Sequence, residues 1–383
     1  MKVLRGSLFV TIIVLTAFFI HMAQPEILGL GASNAVEQNE IQNAINVYFD
    51  ARYRSMSSLQ LEDLSKMIDT STQGVSFLRA EKGKLEIEIK YAKLKKLGYT
   101  QFKKYLDFKN FVFSSSQSAV VTVVEGHDVV FEISNEISKI NPIVSKMRNL
   151  QHTIAVSKVE GTWKIVSDNY EDDLWRLLKI PGNSQEELLL SINYEEENIS
   201  QPVTSLDNLT TQCSLPADTS SYAYNRLGAV TYAHQWATAA RPYNPVYVDY
   251  TDAGGDCTNF VNQAIHDGGN AQMVFGGTHG TNGNGQLGWY FYSSLDHATA
   301  WNYVTPLMEF ITQYWVWPAG PEGCEVAVTG LQVGDLIQYD WEGTGVLWDH
   351  SAIVVNLVDQ GSGVMMPYIA SHTPDLDNYY TLA

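Results

Sequence analysis

Lysine is absent from Ser221 to Ala383, and Arg226 and Arg241 are the only formal positive charges in that stretch. The 383-residue chain carries a net charge of -18, so its basic side chains are concentrated in the N-terminal half. An acidic C-terminal half repels nucleic acid and anionic wall polymers rather than collecting them, which argues against a nucleic-acid partner. A salty or alkaline exterior, or solubility alone, accounts for such a surface as well as a ligand does.

Cysteine is also scarce. The three are Cys213, Cys257 and Cys324, and with an odd number at least one stays unpaired or pairs between chains. Cys213 lies in a polar stretch and Cys324 follows Pro321-Glu322-Gly323, so these two could form a disulfide that leaves Cys257 free; three free thiols fit the spacing equally. No CxxC or HExxH occurs, and one cysteine with two histidines falls short of a closed structural zinc site. An open zinc site of Cys257, His350 and His372 is conceivable but unnecessary, so no metal or cofactor is expected.

Long apolar runs are missing too. Leu8 to Ile20 is apolar apart from Thr11 and Thr16, which is shorter than the ~20 residues of a bilayer span. Lys2 and Arg5 precede it, and small residues follow at Ala23 and at Ser33-Asn34-Ala35. This is the layout of a secretory signal peptide cleaved after Ala23 or Ala35. The expectation is an exported protein, secreted or associated with the cell wall, with no stable membrane span after cleavage.

The length suits that leader and two domains. In residues 36–180, Ile41, Ala44, Ile45, Tyr48 and Ala51 recur at helical spacing, and Leu59, Leu61, Leu64 and Met67 suggest a second helix. Leu85 to Leu97 fits both helix and strand. Ala119–Val124, Val129–Ile133, His152–Val156 and Trp163–Val166 read as strands, the last two joined by a turn at Glu160-Gly161-Thr162. Helices followed by a curved antiparallel sheet make an α+β domain, whose pattern resembles the cone-shaped folds typified by nuclear transport factor 2. Lysines 90, 93, 95, 96, 103, 104 and 109 read as a solvated helix face rather than a docking patch on an anionic wall or membrane surface. Residues 181–220 read as an acidic polar linker holding two glycosylation-type sequons, Asn198-Ile199-Ser200 and Asn208-Leu209-Thr210.

Residues 221–383 carry the chemistry. A helix bearing Leu227, Val230, Tyr232, Ala233 and Trp236 ends before Pro242. A second helix opens at Asp256-Cys257-Thr258 and closes at Gly268-Gly269. A cysteine in the first helical turn faces unpaired N–H groups and the positive end of the dipole, which favours the thiolate. A nucleophilic cysteine needs a base and a group that orients the base. His350, at the mouth of the apolar strand Ser351–Val355, is the candidate base. His372, just past the strand Met366–Ala370, is the candidate orienter, with Asp375 as its competitor and Asn378 beside it. The Cys257 backbone N–H is the first oxyanion donor, and Tyr247, Tyr250, Gln263 and Asn259 remain open as the second.

The ordered run Asp256-Cys257-Thr258-Asn259-Phe260-Val261-Asn262-Gln263, Gly268-Gly269, Gly334-Asp335-Leu336-Ile337, His350–Val355 and Ser371-His372-Thr373-Pro374-Asp375 resembles the bacterial putative amidase domain family. That family is distantly similar to the NlpC-type and CHAP-type wall hydrolases of the papain-like superfamily. The resemblance covers roughly Tyr222 to Ala383. It implies a papain-like fold and cleavage of an amide in peptidoglycan or another extracellular peptide, with Cys257 as nucleophile, His350 as base and His372 as the third polar residue. Two other readings use the same residues: a non-catalytic secreted binding or structural protein, and a transglutaminase-like acyl transferase. Oligomeric state is not legible.

Overall fold

A computed structural model of the chain describes residues 30–131, 142–180, 183–198, 223–275, 288–313, 320–341, 348–359 and 365–380. Residues 1–29 of the expected leader, Cys213 and the Asn208 sequon lie outside these residues, whereas residues 30–35 of that leader belong to the first helix.

Helix α1 (Leu30–Ser58) buries Ile41, Ile45, Tyr48, Phe49 and Met56, a stripe at helical spacing. It ends at Leu59, whose φ of 53° leaves the helical region. The second helix expected from Leu59 to Met67 is only a short 3-10 turn, Leu64–Lys66, capped by Asp63. Helix α2 follows instead at Thr72–Lys95, with Ser71 accepting the Gly74 N–H. The Leu85–Leu97 stretch is therefore helical through Lys95. Its strand-like alternation arises because α2 is covered on more than one side, packing on α1 and on strand β4 (Thr162–Asn169).

Strands β1 (Tyr99–Ser115) and β2 (Ser118–Phe131) pair along most of their length. β2 unites the two valine-rich segments that read as separate strands. The apparent break at Glu125-Gly126-His127 is a register shift against β3 (Val144–Val159), so the polar insertion bends the strand without ending it. β3 and β4 form the expected hairpin, with Val159 opposite Thr162. Glu160 and Gly161 both have positive φ, 50° and 79°, as a two-residue hairpin turn matched to strand twist requires.

Helix α3 (Asp173–Lys179) is capped by Asp172, and α4 (Gln185–Asn198) begins what read as linker. The first part of that stretch instead docks on α2: Gln185 Nε2 donates to Ala80 O, and Ile192 is buried. Residues 199–222 are not described.

Helix α5 (Arg226–Trp236) opens the C-terminal half, capped by Asn225. Helix α6 (Cys257–Gln263) continues into a π turn, Ala264–Gly268, that packs on α5. A Cβ on Gly268 would sit 2.5 Å from the Gly228 carbonyl oxygen, so the contact requires glycine. Two short pairs follow, β5 (Val274–Phe275) with β6 (Gly288–Trp289) and β7 (Phe291–Ser293) with β8 (Asp296–His297). Strands β9 (Leu336–Tyr339), β10 (His350–Asp359), β11 (Met365–Ser371) and β12 (Asp375–Tyr380) then form an antiparallel meander.

The sheet does not stop where the sequence changes character. β12 pairs with β3, Asp375 opposite Arg148, Leu376 opposite Met147 and Asp377 opposite Lys146. One antiparallel sheet thus runs β1-β2-β3-β12-β11-β10-β9, with β4 also on β3. The mixed α+β class with an antiparallel sheet is as expected; the continuous seam is not. Met147, Leu150, Tyr170, Tyr339, Ala352, Ile369 and Leu376 pack into one cluster across it. Val358, Tyr368 and Tyr380 join the core of the N-terminal half. Among the described residues, no helix is long and apolar enough to cross a membrane.

A shared sheet and a shared core predict a single cooperative unfolding transition. Leu376→Ala, removing a buried side chain from the seam, is expected to destabilise by about 2–4 kcal/mol and to shift that one transition in calorimetry. Two separable transitions with only one displaced would contradict the shared core.

Candidate active site

Cys257 stands at the first position of α6 and faces the start of β10. Its Sγ lies 3.8 Å from Thr258 Oγ1 and receives the backbone N–H of Ser351, the residue after His350. Cys257 and His350 line the same cleft, a cavity of about 370 Å³. The structure thus brings together the two residues that the sequence nominates as nucleophile and base. His350 is 3% exposed, and its Nε2 is buried without a hydrogen-bond partner. Burial is the main cause that pushes its pKa down to about 3, and the Arg176 guanidinium adds to the effect. The imidazole is therefore neutral across the physiological range.

The thiol departs from expectation. Burial pushes Cys257 above its ordinary range, and the Asp256 carboxylate pushes the same way. The Ser351 and Thr258 N–H groups and the Thr258 hydroxyl pull down, but desolvation outweighs them. The resting pair is thiol and neutral imidazole, not the thiolate expected from the helix start alone.

His372 is placed behind the cysteine instead of beside His350. Its Nδ1 lies 2.6 Å from Asp256 Oδ2 and its Nε2 3.1 Å from the Trp236 carbonyl oxygen. The ring is sandwiched between Tyr243, at 3.8 Å, and Phe260, at 4.1 Å. Asp256 also accepts from the Tyr250 N–H and from Asn259 Nδ2, and its own N–H donates to Thr373 Oγ1. This network fixes the residue before Cys257, so His372 positions the cysteine helix and does not reach the base.

Asp375, the competing orienter, is committed elsewhere. Its carboxylate accepts from the Tyr243 hydroxyl at 2.8 Å and from Asn149 Nδ2 at 2.5 Å, an amide contributed by β3. Its position on β12 draws it to the seam and away from His350. Asn378, three residues on, is not among the residues lining the cleft; its carbonyl accepts from the Ser145 hydroxyl.

The side-chain oxyanion candidates lie outside the cleft lining. Tyr247 donates to Asp267, and Gln263 accepts from the Tyr232 hydroxyl. Asn259 joins Val248 O, Asp256 and Trp301 Nε1, and Tyr250 lies toward Asn302 with its ring 6.0 Å from His297. Each holds the fold around α6.

Sequence reasoning missed the opposite wall. Glu171, Arg176, Lys179 and Ile180, from the N-terminal half, line the cleft with Gly254, Gly255, Trp341, Asp349 and Thr373. Helix α3 is too short to signal a site, and only the β3–β12 seam brings it there. Cys324 is disulfide-bonded and Cys257 is free. Among the described residues, no group of three or more His, Cys, Asp or Glu side chains could hold a metal ion.

Residues 223–383 match the family described as a putative amidase domain. That match supports amide hydrolysis, at the coarse level, for the half that carries Cys257 and His350. The chain is also 32% identical over 156 residues to YhbB, an uncharacterized protein of Bacillus subtilis strain 168, a match covering 40% of this chain. The chain spans 43% of the length of that relative. Among solved structures, a putative scytalone dehydratase from Novosphingobium aromaticivorans aligns over 37% of this chain and 86% of its own, at 18% identity and a TM-score of 0.27. An NTF-2 like protein of unknown function from Shewanella oneidensis MR-1 aligns over 34% of this chain and 98% of its own, at 13% identity and a TM-score of 0.19. At these scores the two structures carry no argument about activity.

The depressed His350 imidazole has a stability consequence. The folded state binds that proton only near pH 3, whereas an unfolded chain binds it near 6.5. Between those values the unfolded state holds more protons, so stability is full above about pH 6.5 and falls toward pH 3. His127, pushed down to about 4 chiefly by burial, acts in the same window. His350→Gln is therefore expected to flatten, not abolish, the loss of stability between pH 7 and pH 4.5 in urea titrations. An unchanged slope would contradict the buried neutral imidazole.

Proposed function

We propose that the protein is an exported cysteine amidase or peptidase that cleaves an amide bond in peptidoglycan or another extracellular peptide. In this reading the C-terminal half is a papain-like hydrolase, and the N-terminal half is a cone-shaped domain of the nuclear transport factor 2 kind. The observation that carries the reading is the shared cleft: a free cysteine at a helix start beside an unpartnered buried histidine nitrogen.

The neutral pair defines the chemistry. His350 Nε2 takes the Cys257 proton as Sγ attacks the amide carbon, so the thiolate forms during attack. The developing oxyanion turns toward the Cys257 N–H at the start of α6. The imidazolium then protonates the leaving amine, leaving a thioester on Sγ. Water, losing a proton to His350, attacks the thioester; the carboxylic acid departs and the thiol is restored. Burial keeps His350 in the basic form but makes it a weak base, so the path needs a substrate that alters the cleft's electrostatics. His372 and Asp256 act by holding the helix start, with no proton transfer of their own.

The raised thiol pKa is the observation that favours the second reading, a secreted binding protein that keeps these residues without turnover. Digestion of purified wall and of an extracellular peptide panel, followed by mass spectrometry, separates the two. Cys257→Ala is expected to lower amide hydrolysis by about 10³-fold or more while the circular dichroism spectrum and melting point stay as in wild type. Equal product from wild type and variant would sink the hydrolase reading.

A further inference from the structure

The cleft takes its cationic side chains from the other half of the molecule. Downstream of Ser221, Arg226 and Arg241 are the only formal cations. Arg226 is bonded to Asp335, and Arg241 to Asp249 and Asp252. Among the described residues lining the cleft, positive charge comes from α3 and its end: Arg176 and Lys179. Lys179 reaches back to Glu171 at 2.8 Å. The Asp349 carboxylate receives the Trp341 N–H at 2.8 Å.

Arg176 is differently placed. It meets Asp173 at 3.8 Å, too far for a hydrogen bond, within its own helix. Burial pushes Asp173 up to about 6 while the Arg176 charge pulls it back, so the carboxylate is still mainly ionised at neutral pH, but at this distance it makes no hydrogen bond to the fork. The Arg176 side chain donates no hydrogen bond to a described residue, although its charge also pulls Glu171 down on the same wall, so its planar fork keeps the geometry that takes a carboxylate through two parallel N–H···O bonds. A cleft of about 370 Å³ has room for that group and the reacting amide together.

We propose that Arg176 anchors a carboxylate-binding subsite in the Cys257 cleft, so that the amide cleaved belongs to a substrate with a free carboxylate near the scissile bond. The proposal rests on the reading of Cys257 as nucleophile. In it the N-terminal half supplies the positive charge that the acidic half lacks. The same subsite also acts on His350, through the smaller of the two causes that depress it. A carboxylate seated on Arg176 offsets the guanidinium's share of the shift while burial still holds the imidazole down, so the base strengthens in part when the correct substrate is bound. Neutral amides of the same size leave the field in place.

Two alkylating reagents of nearly equal size, iodoacetate and iodoacetamide, test the subsite on the full chain. Rates of Cys257 modification at one pH are read by peptide mass mapping. With wild type, iodoacetate is expected to react at least as fast as iodoacetamide, an advantage that 1 M salt suppresses. Arg176→Gln is expected to slow iodoacetate by about tenfold while iodoacetamide changes by less than about twofold. Arg176→Lys, which keeps the charge, retains most of the iodoacetate rate and guards against a misfolded variant. Normal iodoacetamide labelling with iodoacetate unaffected by Arg176→Gln overturns the subsite and leaves the nucleophile standing. No labelling of Cys257 by either reagent, even at a pH high enough to ionise the raised thiol, overturns both.

Discussion

Backbone pairing of Asp375, Leu376 and Asp377 with Arg148, Met147 and Lys146 joins two halves of different charge into one sheet. The ladder is short, but apolar packing around Leu376 and the bonds from Asp375 to Asn149 and Tyr243 reinforce it. Its position sets what the cleft can be. β12 follows directly from His372 and Thr373, so the element that crosses the seam also closes the network behind Cys257. On the other side, β3 and β4 lead into α3, which forms the facing wall.

The electrostatics follow from that geometry. An acidic half that desolvates a cysteine and a histidine at the wall of one cleft leaves both neutral, because desolvation outweighs the helix start and the N–H groups around Sγ. The opposing wall supplies cationic groups, and one of them bears directly on the imidazole. Asp256 and His372 form a buried pair that locks the turn before the nucleophile. Removing either partner would leave a buried polar group unsatisfied, which costs more than the bond itself contributes.

Much of this is legible in the residues, and the exceptions have causes. The Cys257 helix, the His350 strand and the β3–β4 hairpin carry strong local signals: glycine pairs, an apolar run, and a two-residue turn at Glu160-Gly161. β12 is hidden because Asp375, Asp377 and Asn378 are poor strand formers, and its pairing partner lies more than two hundred residues upstream. β1 is hidden by its lysines and its largely exposed face. The partner of His372 is misread because strand ends suggest adjacency but not ring direction; Asp256 sits in the same motif and is the nearer carboxylate. Arg176 carries no local signal, since a seven-residue helix becomes part of the cleft only through the seam.

Native-state amide hydrogen exchange across the seam tests the account most directly. If one sheet carries the cleft, the protected amides of Lys146–Arg148 and Asp375–Asp377 open with the same free energy as those of Ser351–Val355, through global unfolding. Seam amides exchanging through a separate opening of much lower free energy, while the β10 amides stay protected, would show two bodies that merely touch and would contradict a cleft built from both.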